Sequence, residues 1–185
     1  MWNYAYIGQD EWSTSLGHAG LSKLFCWDLN FLGALTNCTQ LQSLNVGFNK
    51  LGGQLPASIA NLSTQLNELS LYGNLISGSI PPGIGTLVSQ QTLYVSENLL
   101  TGKLPPSLGE LSKLRKVSLY SNGLSGEIPS SLGNITWLTY LYMFNNSFEG
   151  SIPSSLGRCS YLLDLNLGYN KLNGSIPVGH GPYNS

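Results

Sequence analysis

The chain carries little charge. Asp, Glu, Lys and Arg make up 9% of its 185 residues, and the formal net charge is -1. A nucleic-acid-binding surface needs clustered cations to meet phosphates, so nucleic acid is excluded as a partner. Histidine is scarcer still: His18 and His180 are the only two, and no Ser, Cys or Asp is arranged around either. No phosphate loop or metal-ligand spacing occurs, so the sequence reads as a non-enzyme that needs no cofactor or metal. No run of 18 apolar residues is present, which excludes a membrane-spanning helix within this sequence. The opening MWNYAYIGQDEWSTSLGHAG has neither a basic start nor an apolar run and does not read as a signal peptide. Cys26, Cys38 and Cys159 match no zinc site and no dense disulfide framework.

What the chain does have is a period. Nearly the same string returns as NKLGGQLPASIANL at Asn49, NLISGSIPPGIGTL at Asn74, NLLTGKLPPSLGEL at Asn98, NGLSGEIPSSLGNI at Asn122 and NSFEGSIPSSLGRC at Asn146, and it begins once more at Asn170. The first step is 25 residues and the next four are 24. Prolines 56, 81, 105, 129, 153 and 177 keep step, as do glycines 53, 78, 102, 126, 150 and 174. A fixed period of this length over six copies implies a solenoid.

Each unit reads LxxLxLxxNxLxGxIPxxLGxL with substitutions. The LxL positions, such as Leu69/Leu71 and Val117/Leu119, alternate apolar with variable residues, the pattern of a strand facing a core on one side. One strand per unit predicts a curved parallel sheet with strands about 4.8 Å apart. The following xxLGxL, as in Ser107–Leu111, predicts a short helical or 3-10 segment on the convex side. The expected fold is therefore an α/β solenoid of about six turns. Asn49, Asn74, Asn98, Asn122, Asn146 and Asn170 sit where the chain leaves the strand, and a stack of their side chains would satisfy buried backbone groups. Asn122, in mid-stack, is expected to be shielded from water. The periodic Gly permits left-handed or crowded backbone, and the Pro fixes its own φ and ends strand pairing. Gln90 stands where the other units have Leu41, Leu66, Leu114, Leu138 and Leu162, and needs hydrogen-bond partners there.

The LxGxIPxxLGxL segment resembles the plant-specific leucine-rich repeat over residues 31–177. FLGALTNCTQLQSLNVGFNKLGGQLPASIANLS and SLGRCSYLLDLNLGYNKLNGSIP are similar to ectodomain segments of plant leucine-rich-repeat receptor kinases, most like the immune receptors that sense bacterial elongation-factor-type patterns. The resemblance implies a right-handed solenoid at the cell surface or outside the cell, a peptide or protein ligand, and a co-receptor kinase ectodomain as a further partner. It also implies terminal caps with paired cysteines, a membrane span and a kinase, none of which is recognisable here. Residues 1–30 read as an atypical N-terminal segment or improvised cap, residues 31–177 as the solenoid and residues 178–185 as a tail. The chain reads as a fragment, a truncated product or a short protein. Two other functions fit related plant repeats: a secreted inhibitor of a cell-wall-degrading enzyme, and an antifreeze or ice-recrystallisation inhibitor. The bulky, irregular columns count against ice.

Solenoids bind through variable residues of the concave sheet. Tyr72, Tyr94, Tyr120, Tyr140, Tyr142, Phe144 and Tyr169 fall at positions expected to face solvent there, with Ser and Asn between them. Stiff aromatic area with interspersed hydrogen-bonding groups suits a ligand surface. The same aromatics could instead pack on one another across strands. Asn37, Asn61, Asn134, Asn145 and Asn173 head Asn-x-Ser/Thr sequons and would be glycan acceptors in a secreted chain, Asn145 the least suited because it lies on the concave side. Cys38 and Cys159 occupy equivalent repeat positions and read as small core residues, with Cys26 the plausible disulfide partner of Cys38.

Overall fold

The computed structural model of the chain describes residues 4–6 and 29–177. The expectations for His18, His180, Cys26, most of the first 30 residues and the tail lie outside the described residues. Six strands follow the repeat: β2 (Ser43–Asn45), β4 (Glu68–Ser70), β6 (Thr92–Tyr94), β8 (Lys116–Ser118), β10 (Tyr140–Tyr142) and β12 (Asp164–Asn166). They pair in parallel and in phase with the repeat, Leu69 opposite Leu93 and Leu93 opposite Val117. The strand β1 (Tyr4–Tyr6) joins the sheet beside β2, also parallel. The central residue of each strand from Leu44 to Leu141 is buried, and Val46, Leu71, Val95, Leu119 and Met143 lie in the same core. At β12, Leu165 is 40% exposed because no described unit covers it.

A second parallel sheet, absent from the sequence reading, flanks the first. It consists of β3 (Gly52–Gln54), β5 (Leu75–Gly78), β7 (Leu99–Lys103), β9 (Gly123–Glu127), β11 (Ser147–Ser151) and β13 (Lys171–Asn173). Its inward residues Ile76, Leu100, Leu124 and Phe148 are buried. Alternation here is short and interrupted by the periodic Gly, whose φ runs from 74 to 86°. That is why the segment reads as a turn. Thr101 faces Gly123, Ser125 faces Ser147 and Glu149 faces Lys171, pairings two residues short of the 24-residue period. The first sheet has no such stagger.

The convex side carries α1 (Phe31–Leu35) and five 3-10 segments, Ala57–Asn61, Pro82–Thr86, Pro106–Glu110, Ser130–Asn134 and Ser154–Arg158. Each 3-10 segment starts after a periodic Pro in extended conformation. Neighbouring segments are bolted together by hydroxyls. Ser107 Oγ donates to Pro82 O, Ser131 Oγ to Pro106 O at 2.7 Å, and Ser155 Oγ to Ser130 O at 2.7 Å. The approach is so close that a Cβ on Gly109 or Gly133 would overlap the backbone oxygen of Ser131 or Ser155. The Gly of the LG pair is thus a spacing requirement, a role distinct from the left-handed glycines.

The asparagines form the expected ladder. Asn98 Nδ2 donates to Leu71 O, Val95 O and Ser96 O at 2.9 to 3.1 Å, and Asn98 Oδ1 accepts from Ile76 N at 3.0 Å. Asn74, Asn122 and Asn146 repeat this pattern with their own neighbours. Asn170 does likewise, whereas Asn49 Nδ2 donates to Val46 O and Gly47 O of its own unit. The buried rungs are Asn74 and Asn98; Asn122, expected to be shielded, is half-buried. Just before each rung the backbone turns left-handed, at Phe48, Gly73, Glu97, Ser121, Asn145 and Tyr169, with φ between 52 and 66°. Five of these six are not glycine, so the ladder holds a conformation costing roughly 1–2 kcal/mol per residue.

The extra residue of the 25-residue step is absorbed between Leu62 and Leu66. There Ser63 Oγ donates to Thr39 O at 2.7 Å and accepts from Gln65 N at 3.1 Å. Both sheets resume their registers on either side, Ser43 opposite Glu68 and Gly52 opposite Leu75.

Gln90 is fully buried. Its Nε2 donates to Thr92 O, but its Oε1 has no partner. A buried unpaired acceptor costs about 1–3 kcal/mol, and Leu at this position packs on the core in the five other units, fully buried in four of them. Gln90→Leu should therefore raise stability by about 1 kcal/mol, the net of that relief and the lost bond to Thr92 O. Urea unfolding measures this, and a lower midpoint for the variant would show that the bond to Thr92 O outweighs the orphaned oxygen. Cys159 is buried and Cys38 half-buried against the core, in keeping with their reading as small core residues. Burial pushes the Cys159 thiol pKa up, against a smaller opposing effect of Arg158.

Candidate functional site on the concave face

Two residues of each strand region point out of the concave sheet, and across three units they form a checkerboard that ends in a doubly aromatic fourth. Ser70 and Tyr72 are followed by Tyr94 and Ser96, then Ser118 and Tyr120, then Tyr142 and Phe144. Each serine lies beneath aromatic neighbours: Ser70, Ser96 and Ser118 are buried, and Ser96 Oγ and Ser118 Oγ share a hydrogen bond of 2.6 Å. The tyrosines are half-buried. They cover polar atoms with hydrocarbon and keep their hydroxyls at the surface.

The aromatics divide into two groups. In the first, Phe48 meets Tyr72 edge-on at 4.6 Å, Tyr72 reaches over Ser96 to Tyr120 at 6.1 Å, and Tyr120 stacks on Phe144 at 4.5 Å. Tyr72 Oη donates to Glu97 Oε1 at 3.2 Å. Burial, then the hydroxyl of Tyr72 and the charge of Glu97, push the Tyr120 phenol pKa far up. This row is mutual packing, the alternative reading of the stripe, and it stiffens the face. Such ring pairs contribute about 0.5–1.5 kcal/mol each beyond their area.

The second group leaves an opening. Tyr94, Lys116, Val117, Tyr140 and Tyr142 line a cavity of about 200 Å³. That is below the ~300 Å³ typical of small-molecule pockets and suits one or two side chains of a larger ligand. Lys116 Nζ lies 5.6 Å from the centre of the Tyr140 ring, and Tyr140 lies 6.3 Å from Tyr142. Tyr142 Oη donates to Asp164 Oδ2 at 2.8 Å, and this bond is the main cause of its raised pKa. Burial and then Glu68 raise that of Tyr94, so its hydroxyl stays a donor at neutral pH. Six of the seven aromatics singled out in the sequence thus come together. Tyr169 does not: it is 87% exposed, lies past β12 in a left-handed turn, and stacks on no ring among the described residues. Sequence reasoning omitted Phe48, Lys116 and Asp164. Lys116 and Asp164 precede the strand core in a column that reads as mixed polar, and Phe48 occupies a turn.

The sequons fall in different settings. Asn37, Asn61, Asn134 and Asn173 are exposed. Asn134 Oδ1 accepts from Arg158 Nη2 at 2.9 Å. Asn145 is exposed on the concave side, where its Nδ2 donates to Ser121 Oγ at 3.0 Å. On the connections into β10 and β12, Trp137 stacks on Tyr161 at 4.7 Å, both about half exposed. Among the described residues no group of His, Cys, Asp or Glu could hold a metal, and no helix is long and apolar enough to cross a membrane.

The leucine-rich-repeat family model matches residues 40–62, 65–87, 91–111, 113–135 and 137–159. A receptor-like protein kinase of Arabidopsis thaliana is 81% identical over 78 residues, which is 42% of this chain and 8% of that protein. The Arabidopsis thaliana receptor-like serine/threonine-protein kinase EFR is 60% identical over 65 residues, 35% of this chain and 6% of EFR. The chain thus spans less than a tenth of the length of these relatives. Among solved structures, the leucine-rich-repeat ectodomain of the Arabidopsis thaliana membrane receptor kinase GASSHO1/SCHENGEN3, in complex with CASPARIAN STRIP INTEGRITY FACTOR 2, superposes with a TM-score of 0.78 at 37% identity. The match covers 81% of this chain and 18% of that one. With five matched repeats, two parallel sheets in this arrangement and plant receptor kinases as its homologues, the chain belongs to the leucine-rich-repeat family.

Proposed function

We propose that the chain is a non-catalytic recognition module that binds a peptide or protein ligand on its concave face, outside the cell, in the manner of a plant receptor-kinase ectodomain. The observation that carries this is the open tyrosine cavity around Lys116 beside a row of pre-packed aromatics. Rigid, partly desolvated aromatics carry much of the energy of protein interfaces, because they bury large area at small entropic cost. Similarity to EFR and to the GASSHO1/SCHENGEN3 ectodomain supports the receptor-like setting; a co-receptor ectodomain as second partner is part of the same proposal. The kinase activity named for the relatives is not carried by the matched repeats.

The test uses a displayed library of random linear peptides, selected on the immobilised chain. Binders should lose at least about 2 kcal/mol, roughly 30-fold in affinity, on Tyr94→Ala combined with Tyr142→Ala. The convex pair Glu110→Ala and Lys113→Ala should leave binding within twofold, as roughly expected of residues outside an interface. Binders that tolerate the tyrosine pair but lose affinity on the convex pair would move the ligand surface to the other side of the solenoid.

A further inference from the structure

Three charged residues of the concave face fall in one column, apart from Glu97 beside Tyr72. Glu68, Thr92, Lys116, Tyr140 and Asp164 are register partners along the sheet, one per unit. The column therefore reads acid, neutral, base, neutral, acid. Strands about 4.8 Å apart put each acid roughly 10 Å from Lys116. An extended peptide advances about 3.3 Å per residue, so three residues cover the same distance. A ligand crossing the strands would meet these charges at every third position.

The partners of these groups differ. Glu68 Oε2 accepts from Ser43 Oγ at 3.1 Å, and Asp164 Oδ2 accepts from Tyr142 Oη. Both carboxylates keep further acceptor capacity, and Asp164 is exposed. Lys116 is exposed at the mouth of the cavity and faces the Tyr140 ring, with no carboxylate among the described residues within ion-pair distance. A ring face offers a cation only about 0.5–1 kcal/mol at an exposed site and supplies no hydrogen-bond acceptor. Tyr94, on the neighbouring strand, adds a hydroxyl donor to the same opening. An ammonium and a phenol converging on one small cavity form a receptor for a carboxylate. Arg115 and Lys113 of the same unit lie on the connection into β8, outside the column.

We propose that this column selects an extended peptide segment with the pattern base-x-x-acid-x-x-base, the acidic side chain entering the Lys116 cavity and the basic ones meeting Glu68 and Asp164. The inference rests on the concave face being the ligand surface. It adds direction and chemistry: the peptide runs along the solenoid axis, and charge pattern selects among candidate ligands. Complementary charges at fixed spacing set register and exclude mismatched partners more than they raise affinity.

The test titrates the full chain, at low salt, with synthetic peptides in a Gly-Ser frame. The probes carry Lys-x-x-Glu-x-x-Lys, the Gln-centred version, the charge-inverted Glu-x-x-Lys-x-x-Glu, and Lys-x-x-Gln-x-x-Lys with its carboxylate supplied only by the peptide C-terminus. The matched peptide should bind about tenfold tighter than the Gln-centred and C-terminal versions, and further ahead of the inverted one. Lys116→Glu should reverse the preference at the central position alone, so that the Gln-centred peptide outbinds the Glu-centred one and a peptide with three lysines in the same frame binds best. Lys116→Gln should abolish the difference between Glu and Gln peptides. Melting curves check that both variants remain folded. Equal binding of matched and inverted peptides, or no binding of any probe at millimolar concentration, overturns the proposal. Preference for the C-terminal probe would overturn the internal acid and put a chain terminus in the cavity. If the peptides bind without charge preference and still lose affinity on the Tyr94/Tyr142 pair, the concave surface stands and the charge pattern falls. If neither charge nor the tyrosine pair matters, both fall.

Discussion

Asn98→Ala should lower the unfolding free energy by about 3 kcal/mol or more, because one truncation leaves several buried backbone groups unpaired at about 1–3 kcal/mol each. Asn98 is 7% exposed. Its amide nitrogen serves three carbonyls and its oxygen serves Ile76 N–H, so it joins the end of one concave strand, its own turn and the preceding lateral strand. Water has little access to replace any of these bonds. Asn98→Asp should do no better, since a carboxylate would face the three carbonyls it can no longer donate to. Asn170→Ala, at a half-buried rung where solvent can enter, should cost about 1 kcal/mol. Chemical denaturation of the three variants checks the order. Equal losses at Asn98 and Asn170 would mean that burial does not govern the ladder's contribution.

Gly133→Ala should be as damaging for a different reason. Gly133 is buried, and a Cβ there would lie 2.7 Å from the Ser155 Cβ and closer still to the Ser155 carbonyl. Backbone cannot rotate aside as a side chain can. The two convex segments must separate, and the bond from Ser155 Oγ to Ser130 O must lengthen or break. A loss of about 3 kcal/mol is expected, at the upper end of overpacking effects. Gly33→Ala is the control. Gly33 lies in α1, and a methyl group there would meet nothing within 4 Å, so the variant should be neutral or stabilised by up to about 1 kcal/mol. If Gly133→Ala melts with the parent, the convex segments are not locked by that approach.

The period made the concave sheet readable because its strands repeat in phase. Leu69, Leu93 and Val117 are equivalent in sequence and opposite one another in space. The ladder and the left-handed glycines followed from the same spacing. The second sheet was hidden because its pairing is offset from the period and most of its strands carry a left-handed Gly in or at the end of the strand. The left-handed turn at Phe48, Glu97, Ser121, Asn145 and Tyr169 was hidden because such different residues share no preference for it. At the candidate site the aromatic positions were legible as a list. Their division into a packed row and an open cavity was not, since it depends on which unit places Ser beside Tyr and on how far each ring leans across its neighbours. The two roles of Gly also could not be told apart in sequence: Gly126 is required for its φ, and Gly133 for the Ser155 backbone beside it.

The wider connection at Leu62–Leu66 has a consequence for engineering. Length added there leaves the pairing of Ser43 with Glu68 and of Gly52 with Leu75 untouched. The coil accommodates an extra residue at this point, with Ser63 still bonded to Thr39 O of the preceding unit. A fluorescent reporter or an affinity handle spliced beside Thr64, which is exposed, should ride on the outside of the coil without throwing the downstream units out of step.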